Sequence, residues 1–365
     1  MSGAESVDTL RGVLSWIPDV SVFARLGDSV LQGRLDSAYA DPFNQAGPLQ
    51  IVLDALLLGL LSGLPGDLAI AVLCIAVASV PLVTAGVLGS WMLRRSADPP
   101  ARHAWLIPWL CVLVMGLVGA DEEYVLSGHW WQIPVLLLWV AAVLTIGAGH
   151  PFLAGTLVGL AAGLEPWGVF GVLAALTAAS RNAAVRALIS TLAVAVSAWI
   201  PFVVSGSFRI GDFRWSVRSE SLWALVLDSG SDFPWSLRLI QACLVVGIGA
   251  LATIRLVRPL RVSPEPRWLT ASVLFAVVLV LCRVATDIWF GSYYLLSPAA
   301  LLVPVAVYWL FQRHPAGLWL AGSAWLVLVG ASGVSPFLLS AVALTAVLMA
   351  LRGIDVSQRD LDHMR

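Results

Sequence analysis

Four polar segments in an otherwise apolar chain carry side chains able to do chemistry. In the first, Pro18-Asp19-Val20-Ser21-Val22-Phe23 precedes Ala40-Asp41-Pro42-Phe43 and Gly47-Pro48-Leu49. A carboxylate there would serve as general base for a sugar hydroxyl; the plainer reading is that Asp19 caps a helix. The second, Gly128-His129-Trp130-Trp131-Gln132, follows Asp121, Glu122, Glu123 and Tyr124. Indole faces pack on sugar CH groups while Gln and His bond hydroxyls, although interfacial anchoring explains the same Trp residues. Third, Glu165 interrupts an apolar stretch just before Pro166. An ionisable group at membrane depth is a functional candidate because burying it unpaired is costly, whereas at the surface it is an ordinary turn residue. The fourth, 205–236, sets Arg209, Arg214 and Arg218 among aromatic residues ahead of Ser219-Glu220-Ser221, with Arg283 and Asp287 expected nearby in space. Guanidinium grips phosphate in a bidentate fork, and that phosphate is either a lipid headgroup or a polyprenyl phosphate in a site.

The elements that position these segments are membrane helices. With 59% hydrophobic residues, 12% charged residues and a mean hydropathy of +0.89, the chain lacks the charge that a water-exposed surface requires. Apolar runs predict spans at 68–93, 104–120, 131–147, 187–204, 237–256, 268–283, 293–311, 316–331 and 335–351, each near the ~20 residues that cross a bilayer. Pro166 splits 152–180 into two short helices. Residues 49–62, which carry Asp54, read as an interfacial or re-entrant helix. The expectation is an all-α polytopic bundle of 10–11 spans, without internal repeat or soluble domain. It divides into a segment 1–48, a membrane domain 49–351 and a tail 352–365. The 17 Trp are expected mostly near helix ends.

A net charge of -1 points to no nucleic-acid partner and no polybasic anchor. All the basic residues are Arg, as in proteins of high-GC bacteria such as actinobacteria. Cys74, Cys111, Cys243 and Cys282 lie in apolar runs at no metal-ligand spacing, so they read as small buried hydrophobes and no metal is expected. The residues around Arg11 offer too short an apolar stretch for a signal peptide.

Arg94, Arg95 and Arg102, then Arg181 and Arg186, then Arg255, Arg258, Arg261 and Arg267, then Arg313, then Arg352, Arg359 and Arg365 fall in connections that the positive-inside rule assigns to the cytoplasm. They share a side only if 152–180 crosses twice. That turns Glu165 outward, together with residues 1–48, 121–130, 205–236 and 284–292. The chain is thus expected in the inner (plasma) membrane with its polar chemistry on the extracytoplasmic face.

In this order the segments resemble the GT-C type integral-membrane glycosyltransferases that use polyprenyl-phosphate sugars, especially actinobacterial mannosyl- and arabinosyltransferase-like members, over residues 18–311. Asp19-Val20-Ser21-Val22-Phe23 looks like the family's first external loop, in which an Asp is catalytic base, and Gly47-Pro48-Leu49 like its Pro-Pro-Leu helix start. Gly128-His129-Trp130-Trp131-Gln132 is similar to the second external loop. Gly159-Leu160-Ala161-Ala162-Gly163-Leu164-Glu165-Pro166 resembles a Gly-Leu-Ala-Ala-x-Leu-Lys-x-Pro element, with Glu165 where Lys is common. Arg283, Asp287, Tyr293 and Tyr294 resemble a late Arg…Asp-Pro…Tyr-Tyr segment, without its Pro. Members also carry a membrane helix ahead of the first loop.

The resemblance implies transfer of mannose or a similar sugar from a polyprenyl-phosphate donor to a glycolipid or glycan acceptor of the cell envelope, with no further cofactor. Asp19 would be the catalytic base and Arg214, Arg218 and Arg283 would hold the donor phosphate. His129, Trp131, Gln132, Glu165, Asp287, Tyr293 and Tyr294 would line the substrate site. The rival class is a lipid or solute transporter or a non-catalytic membrane subunit. Ionisable residues inside several spans would favour transport, and the predicted spans hold few away from their ends.

Overall fold

The computed structural model describes residues 18–42, 44–61, 63–95, 103–118, 129–288, 293–332 and 334–363; the side chains of 18–21, 24, 66, 118 and 356–363 lie outside that description. Its helices are α1 (Pro18–Leu31), α2 (Pro48–Leu61), α3 (Gly66–Arg94), α4 (Ile107–Val118), α5 (Gln132–Gly147), α6 (Pro151–Leu164), α7 (Arg181–Val203), α8 (Trp235–Ala252), α9 (Glu265–Ala285), α10 (Tyr293–Phe311), α11 (Ala316–Ala331) and α12 (Pro336–His363). Six of them, α3, α7, α8 with its continuation to Val262, α9, α10 and α12, are long and apolar enough to cross a bilayer; the other apolar helices are shorter. The chain is therefore an all-α helical bundle with the features of a multi-pass membrane protein. Strand pairing among the described residues is one antiparallel ladder inside 205–236, Trp215–Ser216 against Asp232–Phe233.

Within the segment 1–48, residues 18–31 are helical, with Gly27 at the crossing of α1 and α2, where any Cβ would overlap the Ile51 carbonyl. α12 runs on into the tail 352–365 as far as His363.

α9 is the axis of the bundle, 94% buried over its apolar window, whereas α7 is 11% buried and lies at the periphery. α9 packs against α5, α8, α10 and α12. A close seam is that of α6 and α7, where Gly155 and Gly159 let the Ala187 carbonyl and Val194 approach directly. Small residues four apart allow backbones this near in a membrane. Trp139 departs from the expected placing of Trp at helix ends: it is fully buried in the middle of α5, and its Nε1 donates to the Gly168 carbonyl at 2.8 Å.

The stretch 152–180 does turn back on itself. α6 is followed by a 3-10 helix, Pro166–Thr177. Fourteen α-residues span about 21 Å and twelve 3-10 residues about 24 Å, so the tighter winding lets the shorter arm cover the return. Glu165 sits at the turn because the residue before a proline is driven out of the helical region; its backbone is extended, φ −138° and ψ 135°. The far end of the 3-10 arm meets Arg261, whose Nη1 lies 3.4 Å from the Thr177 carbonyl.

The connections expected to share a side do cluster. At one end Arg95 pairs with Glu265, Arg261 meets Thr177, and Arg186 lies over the Phe152 ring. At the other, Gly47 N–H donates to the Leu164 carbonyl at 3.0 Å, Arg209 N–H to the Tyr39 carbonyl at 2.9 Å, and Trp223 Nε1 to the Thr286 carbonyl at 2.7 Å.

Candidate functional site

That second end encloses a cavity of about 360 Å³. It is walled by the turn before α5, the Glu165 turn, the end of α9, the start of α10, the start of α8 and the small ladder, with Phe23 of α1 at its side. His129, Gln132, Glu165, Arg283, Asp287, Tyr293 and Tyr294, expected from three separate stretches of sequence, all line it.

The last turn of α9 supplies its cation. Arg283 lies 4.8 Å from the Trp167 ring centre and 4.4 Å from that of Tyr294, a double cation–π arrangement. Its Nη2 is 3.7 Å from Asp287 Oδ2. Asp287, 3% exposed, also accepts from Arg238 Nη1 at 2.9 Å and from the Ile288 N–H at 2.8 Å. Arg238 in turn rests over the rings of Trp215 and Phe233. Two guanidiniums thus share one carboxylate, which leaves the group one positive charge in excess.

The same cavity is lined by Glu165, 4% exposed, with Oε1 3.7 Å from His129 Nδ1. The His129 ring stacks on Tyr293 at 4.6 Å and meets the edge of Phe23 at 6.0 Å. Buried polar atoms are nearly always bonded, yet Gln132 Nε2, Trp167 Nε1 and Arg283 Nη1, three donors, and Glu165 Oε1, an acceptor, have no hydrogen-bond partner among the described residues. A ligand rich in oxygen acceptors, with at least one hydroxyl to donate, would satisfy them together.

Trp131 stands behind this wall. Its Nε1 donates to Asp54 Oδ1 at 2.7 Å, and Asp54, 1% exposed, lies on α2 one turn after the buried Gln50. Trp131 thus anchors the turn that carries His129 and Gln132. At the edge, Tyr39 donates to the Ala46 carbonyl at 2.8 Å; burial first, and the Glu165 charge second, push its phenol well above its ordinary range, so it remains a donor.

The expected phosphate ligands are only partly brought here. Arg214 and Arg218 are exposed and do not line the cavity; Arg214 Nη1 donates to the Gly211 carbonyl at 3.0 Å. The ladder turns them to solvent because alternate residues of a strand face opposite sides, and Trp215 and Phe233 are the ones that face in. Arg209 is satisfied by Asp212 at 2.8 Å. Asp19 falls in the first turn of α1, one turn before Phe23, and its side chain lies outside the described residues, as do residues 121–128. Sequence reasoning missed Arg238 and Asp54 as site residues, although each is an ionisable group inside an apolar run, the signal that singled out Glu165.

Comparison with protein-family models, with curated proteins and with solved structures finds no match to this chain.

Proposed function

We propose that the chain is a GT-C-like membrane glycosyltransferase that moves a sugar such as mannose from a polyprenyl phosphate to a hydroxyl of a glycolipid or glycan on the extracytoplasmic face. The observation that carries the reading is the set of unsatisfied polar atoms on residues lining one aromatic-walled cavity: donors on Gln132, Trp167 and Arg283 and an acceptor on Glu165. A sugar phosphate offers acceptor oxygens, hydroxyl donors and apolar CH faces, and each has its complement there. The paired guanidiniums of Arg238 and Arg283 at one wall suit a phosphate that gains charge as it leaves.

In this reaction Asp19 takes the proton of the acceptor hydroxyl, whose oxygen attacks the anomeric carbon. The bond from that carbon to the phosphate oxygen breaks, and polyprenyl phosphate departs with the electron pair. Arg283 and Arg238 stabilise the departing phosphate, and His129 and Glu165 orient sugar hydroxyls. The sparse charge within the spans supports chemistry at one end over transport through the bundle.

The test is release of polyprenyl phosphate from labelled polyprenyl-phosphate mannose or arabinose by the full chain in proteoliposomes that also contain a cell-envelope glycolipid extract as acceptor. Asp19→Asn is expected to abolish release without reducing the amount of folded protein. Release unchanged in that variant would reject the role of Asp19. Binding of the donor without release by the unaltered chain would reject the enzyme in favour of a non-catalytic subunit.

A further inference from the structure

The opposite end of the bundle holds a second cavity, of about 560 Å³, where the ends of α3 and α5 meet the start of α9. Trp91, Arg95, His150, Arg261 and Trp268 line it, with Glu265 as the carboxylate among its lining residues. We propose that this cavity seats the headgroup phosphate of an anionic phospholipid from the leaflet bordering the Arg-rich end. The inference rests on the membrane setting and not on the transfer reaction.

Charge is the first support. Glu265 is engaged by Arg95, so its charge is offset within the lining. Arg261 keeps the positive charge in excess, its Nη1 only 3.4 Å from the neutral Thr177 carbonyl, a contact at the outer limit of a hydrogen bond. A basic pocket between membrane helices at the headgroup level is suited to anionic lipid.

Shape is the second. Two indoles, Trp91 and Trp268, flank the cations. Trp268 occupies its place because residue 147 is glycine: a Cβ there would come within 2.9 Å of the indole. Such rings favour the boundary between headgroups and hydrocarbon.

The third support separates lipid from soluble phosphate. α4 packs along α3, and Trp105, Trp109, Leu113 and Leu117, spaced four apart, form an exposed apolar stripe running back from this same end. An acyl chain gains contact with surfaces of this kind; inorganic phosphate gains none.

The full chain in nanodiscs of phosphatidylcholine with a minority of phosphatidylglycerol provides the test, read as the phosphatidylglycerol retained on delipidation by native mass spectrometry. Arg261→Gln is expected to reduce retention about fivefold, the factor for one basic residue near an anionic surface. Ala148→Trp, which fills the cavity from its lining and leaves every cation in place, should do the same, and it decides the matter where Arg261→Gln fails to fold. Arg186→Gln, exposed at the same end but outside the cavity, should change nothing. Equal loss in Arg186→Gln and Arg261→Gln would mean diffuse attraction and overturn the proposal. So would retention indifferent to Ala148→Trp, or displacement of the lipid by millimolar inorganic phosphate.

Discussion

The two ends of the bundle use the same kinds of residue and treat them in opposite ways. Around the first cavity Asp287 and Glu165 are almost fully buried, and Arg283 is stacked between two rings. At the other end Arg95 and Glu265 pair with 48% and 62% of their side chains exposed. A surface pair contributes at most about 1 kcal/mol, because water and salt screen it. Removing one member of a buried set strands its partner and costs about 3–5 kcal/mol. Burial, not residue type, thus separates a site that can hold a substrate in one geometry from a surface that attracts by charge.

The contrast breaks first at Arg283. Arg283→Met is expected to lower sugar transfer about a hundredfold or more, by analogy with removing one preorganised charge-stabilising donor, measured as polyprenyl phosphate released per minute; a loss under threefold would put the phosphate elsewhere. Asp287→Ala leaves Arg238 and Arg283 facing each other and should cost about 3–5 kcal/mol, read as a lowered melting temperature in detergent. Trp131→Phe removes the donor to Asp54 and should cost about 1–3 kcal/mol while moving KM more than kcat, since it loosens the turn bearing His129 and Gln132.

Smaller effects are expected at the other end. His314, between α10 and α11, has its pKa lowered, first by burial and second by the charge of Arg267, and its Nδ1 accepts the Ala316 N–H at 3.1 Å. The folded form therefore binds fewer protons than the unfolded one as pH falls through the ordinary imidazole range, so stability drops there. His314→Gln should flatten the decline in melting temperature between about pH 7 and pH 5. Least of all, Arg214→Gln and Arg218→Gln should leave transfer within about twofold, as exposed residues away from the cavity do; a large loss would show that the ladder refolds over the substrate.

The apolar runs made the helices legible, because a spanning helix leaves a run of apolar residues whatever packs against it. The turn at Glu165 was legible for the same local reason, the proline that follows. What could not be read was direction. Arg214 and Arg238 are both isolated Arg residues in sequence; the ladder of Trp215–Ser216 on Asp232–Phe233 leaves Arg214 outside, while α8 carries Arg238 into the cavity lining. The glycines before Glu165 illustrate a different limit. Gly159 reads as part of a functional motif, yet it is accounted for by the approach of Val194 on α7, as Gly155 outside the motif is by Ala187, so it says as much about packing as about chemistry.

α9 begins at one cavity and ends at the other. Its 21 residues make a rod of about 32 Å, close to the ~30 Å thickness of a bilayer's hydrocarbon. It is a built-in ruler. A phosphate held at Arg283 and one held at Arg261 would belong to different leaflets, so lipids seated in the two cavities would draw on separate pools and would not compete for the same place.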